Sequence, residues 1–453
     1  MSDSAKLIRG SIRSHLISQT SPMIIGIAAM MSVGLVDAYF IGQLGAMPLA
    51  AIAFIFPVTV ALISLGVGIS VGINSVVARA LGSGDADEAA RRGNFGIALA
   101  IAIGLLTGLL LFLLSEPLFR LMQADDGLMP LILTYIRSFA FGMPLLLAIQ
   151  GVNGVLRGQG AAKRTSAIAL TYSVANWILD PLLITGAFGF NGFGIAGAAY
   201  ASVLGWALGC AVAFYLLRGT QIQFEPAKLK EADWLKSLRA IGRVAGPAAF
   251  SNSINPMGLA VLTALVAAEG QAAVAGFGAG GRLQSFAVVP LLALSAAIGG
   301  IVGQNWGAGE YGRARSALVQ AGAFCLVYGL AVALLLFTTA EWFAGFFSDD
   351  PAVVRQFARY LEISAWGYAG FGVLIVVNGA FNAVDRSVFA LGQSFARVFL
   401  IMLPIAWIGR AAWGADGIYS AELAANVAGG IVAAALAWYL FGSKQNVAAK
   451  VAA

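Results

Sequence analysis

Histidine and cysteine are almost missing from this chain. His15 is the single imidazole, and Cys210 and Cys325 are the only thiols among 453 residues. That leaves no histidine cluster for metal chemistry and, with both thiols inside apolar runs, no disulfide framework. Charge is also scarce: 11% of residues are Asp, Glu, Lys or Arg while 60% are hydrophobic, against about 25% and 45–50% in soluble domains. A soluble fold of this length cannot hide so much apolar surface, so the chain reads as an all-α polytopic membrane protein. Its net charge of +6 invites a nucleic-acid reading. The basic residues fall in short loops, and a positive-inside bias accounts for them better. The first residues, MSDSAKLIRGSIRSHL, contain no apolar stretch ending in a small-residue cleavage site. They read as a short basic cytosolic lead-in to a first helix that stays in the protein.

What is present is a series of apolar runs, each long enough for the roughly 20 residues a bilayer requires. Six helices are predicted near 14–41, 48–80, 93–116, 127–151, 165–187 and 193–218. Six more are predicted near 238–268, 277–305, 314–340, 353–383, 388–410 and 416–442. The expected domains are an N-terminal six-helix lobe over 1–218, a cytoplasmic linker over 219–236 and a C-terminal six-helix lobe over 237–453. With the N-terminus inside, most of the 27 Lys and Arg residues fall on the cytoplasmic side, Arg157, Lys444 and Lys450 among them, and the outer loops hold Arg120, Arg355, Arg359 and Arg410. Both termini are therefore expected in the cytoplasm, with the protein in the cell (inner) membrane.

The chain also repeats itself. A shift of 225 carries Pro22 onto Pro247, Gly45 onto Gly270, Gly84 onto Gly309, Tyr135 onto Tyr360 and Val152-Asn153-Gly154 onto Val377-Asn378-Gly379. The shift slips, by an expected one or two residues, before the last helix of each half. Six helices per half is an even number, so both halves enter the membrane from the same side as parallel repeats. Two such lobes with a cleft between them form the expected frame of an alternating-access carrier.

Within that frame one stretch stands out, SPMIIGIAAMMSVGLVDAYFIGQLG over 21–45, with Asp37 as its one charge. A carboxylate in a membrane helix costs about 2.5–3.5 kcal/mol to insert and marks a functional site by default. Asn176 and Asp180, four apart in NWILDP, project from one helix face. At 1.5 Å per residue, Asp180 lies roughly 22 Å and Asp37 roughly 34 Å along their helices, both in the outer half of the first lobe. The repeat sharpens the point: Asp37, Asp180 and Asn176 fall on Leu262, Ile405 and Ile401. The scaffold is kept in both halves while these acids belong to the first alone. Two carboxylates in a low-dielectric pocket cannot both ionise cheaply. Such a pair holds a proton, or sheds it and holds Na⁺ with Asn176 as a neutral oxygen ligand.

Pro22 removes one helical hydrogen bond and is either a fixed kink or a hinge. The loops ALGSGDADEAARR (80–92) and NWGAGEYGRARSA (305–317) are read as turns with an acid at a helix start; neither follows a strand or has the lysine of a phosphate loop. Arg137 falls on Glu362, a reversal of sign without an explanation in the repeat. Glu422 is read as interfacial. Asn153, Gln284 and Asn378 are candidate cleft residues with Asp37. Met30, Met31, Phe54, Phe56 and Phe286 are read first as core or lipid-facing and only second as cavity lining.

The twelve helices as six plus six, VDAYFIGQLG after a proline, the paired glycine loops, NWILDPLLI and GIAGAAYAS (194–202) together resemble the multidrug and toxic compound extrusion family. The likeness covers essentially the whole chain and is nearer to its DinF-like branch, because the seventh helix has no acid. The resemblance implies a cation-coupled antiporter, not an enzyme, that exports small amphipathic, often cationic organic compounds. It further implies H⁺ ahead of Na⁺ as coupling ion, with Na⁺ at Asp37, Asn176 and Asp180 as the alternative, and no other cofactor or metal. Asp37 becomes the central carboxylate, with Asp180, Asn176, Tyr135 and Ser202 around it. Membrane lipid is expected as a neighbour, nucleic acid is not, and the monomer is expected to function alone. A lipid-linked precursor flippase is the alternative; it calls for a strongly cationic cleft, and the charge read in the first lobe is acidic.

Overall fold

The computed structural model describes residues 5–187 and 189–452, with side chains as far as Gly442. Lys444 and Lys450 lie outside the described side chains. Each predicted span is present as a helix. They are α1 (Ile12–Gln43), α2 (Ala46–Gly82), α3 (Ala86–Leu121), α4 (Met129–Gly158), α5 (Ala162–Asp180) and α6 (Ile195–Arg218). After the short linker helix Ala227–Glu231 come α7 (Trp234–Ala267), α8 in two pieces (Gln271–Ala287 and Val289–Gly307), α9 (Tyr311–Ala344) and α10 (Pro351–Ala383). The series closes with α11 (Ser387–Trp413) and α12 (Ala415–Ala452). Twelve are long and apolar enough to cross a membrane among the described residues. A bilayer leaves backbone groups no outside partner, and only helices of this kind satisfy them within one segment. Several are longer than a bilayer needs, and Arg157, expected in a cytoplasmic loop, sits within the last turn of α4.

Start signals are local. Asp85 accepts from the Glu88 N–H at 2.8 Å at the head of α3, and Asp350 caps α10 by accepting from Ala352 at 2.8 Å. Prolines occupy first-turn positions of α4, of the second piece of α8 and of α10.

The chain divides into two compact units. One takes Pro22–Ala249 with the chain up to Lys6; the other takes Leu7–Ser21 and Phe250–Ala453. The divisions fall inside α1 and inside α7, not at the linker 219–236. The second unit keeps Leu7–Ser21 because the backbone of Leu7 is clasped there. Its N–H donates to Gln304 Oε1 at 3.0 Å and its carbonyl accepts from Asn305 Nδ2 at 3.2 Å. Arg313 adds a bond to the Gly10 carbonyl at 3.0 Å. In the first unit, Gly68 of α2 lets the start of α7 approach so closely that a Cβ there would lie 2.5 Å from the Ala245 carbonyl oxygen. Helices α3 and α4 meet in the same way: a Cβ on Gly104 would lie 2.7 Å from the Pro144 Cα. Small residues at such crossings are how membrane helices gain packing where lipid offers no hydrophobic drive.

The internal repeat holds at backbone level. Gly45 and Gly270 have φ of 113° and 112°, and Gly84 and Gly309 have 85° and 77°. Both units carry a π turn, at Pro181–Thr185 and Ala396–Met402. Gly194 and Gly414, at φ 60° and 57°, stand directly before α6 and α12. The shift there is 220, so the slip is five residues and not the one or two expected.

Candidate functional site

The first unit contains a cavity of about 400 Å³, within the range of small-molecule sites. Five helices build its wall, α6 contributing Ser202 and Trp206. Along α4, Tyr135, Phe139, Gln150, Asn153 and Arg157 face it; along α5, Thr165, Ala169, Tyr172 and Asn176 do so, each set at helical spacing. Met23, Ile27, Met30, Met31, Gly34 and Asp37 contribute from α1, and Phe56 and Thr59 from α2. Met30, Met31 and Phe56, read first as packing, are lining residues. Phe139 links two aromatics, stacked on Tyr135 at 5.9 Å and edge-on to Trp206 at 5.0 Å.

Asp37, Tyr135, Asn153, Asn176 and Ser202 thus share one wall. Asp180 lies behind it, fully buried at 0% exposure. The Asp37 and Asp180 carboxyls lie close enough to interact, and the Tyr135 hydroxyl stands in the field of both. Their contact falls short of a well-formed hydrogen bond. Both Asp180 oxygens, Asp37 Oδ1, Asn153 Oδ1 and the whole Asn176 amide are buried without a hydrogen-bond partner. Unpartnered buried polar groups cost about 1–3 kcal/mol each, more when charged. Several such groups on and behind one cavity wall make it the candidate site for a proton, a cation or a polar substrate group. Pro22 directly precedes Met23, the first α1 residue on the wall.

Gln284 and Asn378 belong to the second unit and have partners already. Gln284 Nε2 donates to Glu422 Oε1 at 2.7 Å, and Tyr360 donates to Gln284 and, at 2.9 Å, to Glu422 Oε2. Asn378 Nδ2 donates to Ser394 Oγ at 3.0 Å and Asn378 Oδ1 accepts from Gln393. Glu422 is 3% exposed, so the reading of it as interfacial is corrected, and with it the expectation that membrane-embedded acids belong to the first half alone. Arg397 donates to Asn426 at 2.6 Å and to Asn255, lies over the Phe371 ring at 5.3 Å, and sets its positive charge in the field of Glu422. The second unit buries a hydrogen-bonded acid with a compensating cation; among the described residues, the first buries two acids without one beside them.

The five-residue slip reveals which first-half positions Glu422 and Asn426 correspond to. With a shift of 220, Glu422 answers to Ser202 and Asn426 to Trp206. The contacts agree: a Cβ on Gly142 would lie 2.7 Å from Trp206, and one on Gly367, its repeat, 2.9 Å from Asn426. Glu422 therefore faces Tyr360 from the position at which Ser202 stands near Tyr135. Arg137 and Glu362 are less unusual. Arg137 reaches Glu116 at 4.0 Å across Phe112, and Glu362 pairs with Arg359 at 3.6 Å, all at part-exposed positions.

Comparison with known proteins adds the following. A model of the MatE family matches residues 22–182 and 247–408, two stretches whose starts lie one repeat apart at Pro22 and Pro247. The chain is 34% identical over 435 residues, 95% of each chain, to a protein of Shewanella oneidensis named FAD transporter. It is 26% identical over 414 residues, 89% of this chain and 83% of the other, to the multidrug resistance protein PmpM of Pseudomonas aeruginosa. Among solved structures, the Vibrio cholerae MATE transporter VcmN in its bent form superimposes with a TM-score of 0.89 at 29% identity, covering 96% of this chain and 98% of that one.

Proposed function

Because the chain belongs to the MatE family of membrane transporters, and is therefore not an enzyme, we propose that it is a cation-coupled antiporter. In this reading it exports amphipathic organic compounds, cationic ones among them, by alternating access. The observation that carries the proposal is the cavity of the first unit: space for a small organic molecule, lined by Met, Phe and Trp, with Asp37 on its wall and Asp180 against Asp37. The two relatives are named for FAD and for multidrug resistance, and both names point to small organic cargo.

The coupling ion in this reading is H⁺. One proton shared between Asp37 and Asp180 gives the pair the hydrogen bond it lacks, and Asn176, Tyr135 and Ser202 orient and shield it. A sodium ion at Asp37, Asp180 and Asn176 would have to draw further oxygens from water to fill its shell. Substrate and proton then compete for Asp37, and a ligand shifts a conformational equilibrium only through such differential binding. Pro22, next to the wall, is assigned as the hinge through which α1 responds. The protein is placed in the cell membrane with both termini cytoplasmic.

The test is transport into inverted membrane vesicles. An organic cation should accumulate when a pH gradient is imposed. Asp37→Asn should abolish that accumulation, with normal expression and a monodisperse purified protein. Undiminished gradient-driven accumulation in the variant would refute the assignment.

A further inference from the structure

We propose that Arg157 is an oxyanion subsite of the first unit's cavity, holding a phosphate or carboxylate group carried by the exported substrate. The inference rests on the export reading and narrows its substrate class. Gln150, Asn153 and Arg157 lie at i, i+3 and i+7 on α4 and present one polar stripe to the cavity. Arg157 Nε is buried and unpartnered, and the guanidinium makes no hydrogen bond or ion pair with any described residue; its electrostatic neighbour is the Tyr172 hydroxyl.

Other arginines of the spans differ. Arg397 donates to two amides, Arg164 to the Leu216 and Gly219 carbonyls, Arg313 to Asn305 and Gly10, and Arg92 pairs with Glu88. The acids of the cavity do not serve Arg157. Both Asp37 and Met23 line the wall from α1, and the fourteen residue steps from one to the other span about 21 Å of helix, so the cavity is long enough to hold opposite charges at separate ends.

A guanidinium presents five donors in a planar fork that matches a phosphate or carboxylate. Taken out of water without a partner it is expensive, and a bound oxyanion removes that cost. Between Arg157 and the acids, Met23, Met30, Met31 and Trp206 offer a pliable apolar wall. The substrate that fits is an aromatic, amphipathic molecule with an oxyanion at one end.

The experiment uses two flavins that share a ring system, FAD with its phosphates and riboflavin without. Their fluorescence is titrated against the full-length protein in nanodiscs of phosphatidylcholine. Wild type should bind FAD at least about tenfold more tightly than riboflavin, and Arg157→Gln should weaken FAD by about 10- to 100-fold, the span expected for a charged hydrogen-bonded contact. The FAD-to-riboflavin ratio should fall towards one, and Arg157→Lys should restore part of it. An unchanged ratio in a monodisperse Arg157→Gln protein overturns the proposal, as does a wild type that does not distinguish the flavins. If Arg157→Gln does not purify intact, the ratio in Arg157→Lys decides by the same criterion.

Two further arms separate the sources of the oxyanion. Loss of the wild-type preference in discs containing phosphatidylglycerol assigns Arg157 to a lipid headgroup, and its loss in millimolar inorganic phosphate assigns it to a free anion; either overturns a substrate-borne group. Failure here is distinguishable from failure of the export reading. The flavin ratio is a binding measurement that needs no gradient, whereas the Asp37→Asn transport assay does not involve Arg157.

Discussion

Asp37 and Asp180 are expensive residues that no cation among the described residues offsets. Glu422 is an expensive residue that Tyr360, Gln284 and Arg397 offset together. The first arrangement suits a group that must exchange partners and the second suits a group that must stay put. Arg397→Met should therefore cost stability, because it leaves Asn426 and Asn255 without their donor and Glu422 without its cation. Removing one member of a buried charged network costs about 3–5 kcal/mol. The check is thermal unfolding in detergent: the Arg397→Met midpoint should drop clearly, and adding Glu422→Gln should recover part of the loss. Asp37, Asp180 and Asn176 were legible in the sequence because polar groups in apolar helices declare themselves. Arg157 was not, since a basic residue at a predicted span end is indistinguishable from a loop charge until the helix is seen to continue past it. Glu422 was misread because it stands near the start of a predicted span, where a carboxylate is ordinarily solvated.

The elements follow hydropathy and length closely, which is why twelve spans were readable, although the starts of α3 and α8 and the end of α4 lie six or seven residues from their predicted places. Breaks inside the spans were not readable. The interruption at Val288 between the two pieces of α8 and the π turns at Pro181–Thr185 and Ala396–Met402 leave composition unchanged, so an apolar run reads the same with or without them. Helix α1 is the element that responds in the proposed export cycle. It is continuous from Ile12 to Gln43 with Pro22 inside, and the boundary between the two units falls at that proline. Restoring the missing backbone donor with Pro22→Ala should stiffen α1. The expected outcome is unchanged or raised thermal stability together with slower gradient-driven export in vesicles. Equal export rates in variant and parent would leave Pro22 as a fixed kink.

At the scale of the molecule the repeat is the organising fact. Matching glycine geometry at 45 and 270, 84 and 309, and 194 and 414 shows one architecture used twice, while the buried chemistry differs in kind. The first unit holds a cavity with unoffset acids; the second holds a neutralised network around Tyr360, the repeat of Tyr135. The division of the chain inside α1 and α7 could not be read from sequence. It depends on the clasp of Leu7 by Gln304 and Asn305 and on the approach of α7 to Gly68, neither of which leaves a compositional mark at the linker.

If the acids of the first unit alone exchange a proton for substrate, that exchange is observable without a membrane gradient. Purified protein in weakly buffered detergent, mixed with substrate in a stopped-flow instrument with a pH-sensitive dye, should release protons on binding. Asp37→Asn should release none, and Glu422→Gln should release as many as wild type. Proton release that survives Asp37→Asn, or that disappears in a stably folded Glu422→Gln, would contradict the account.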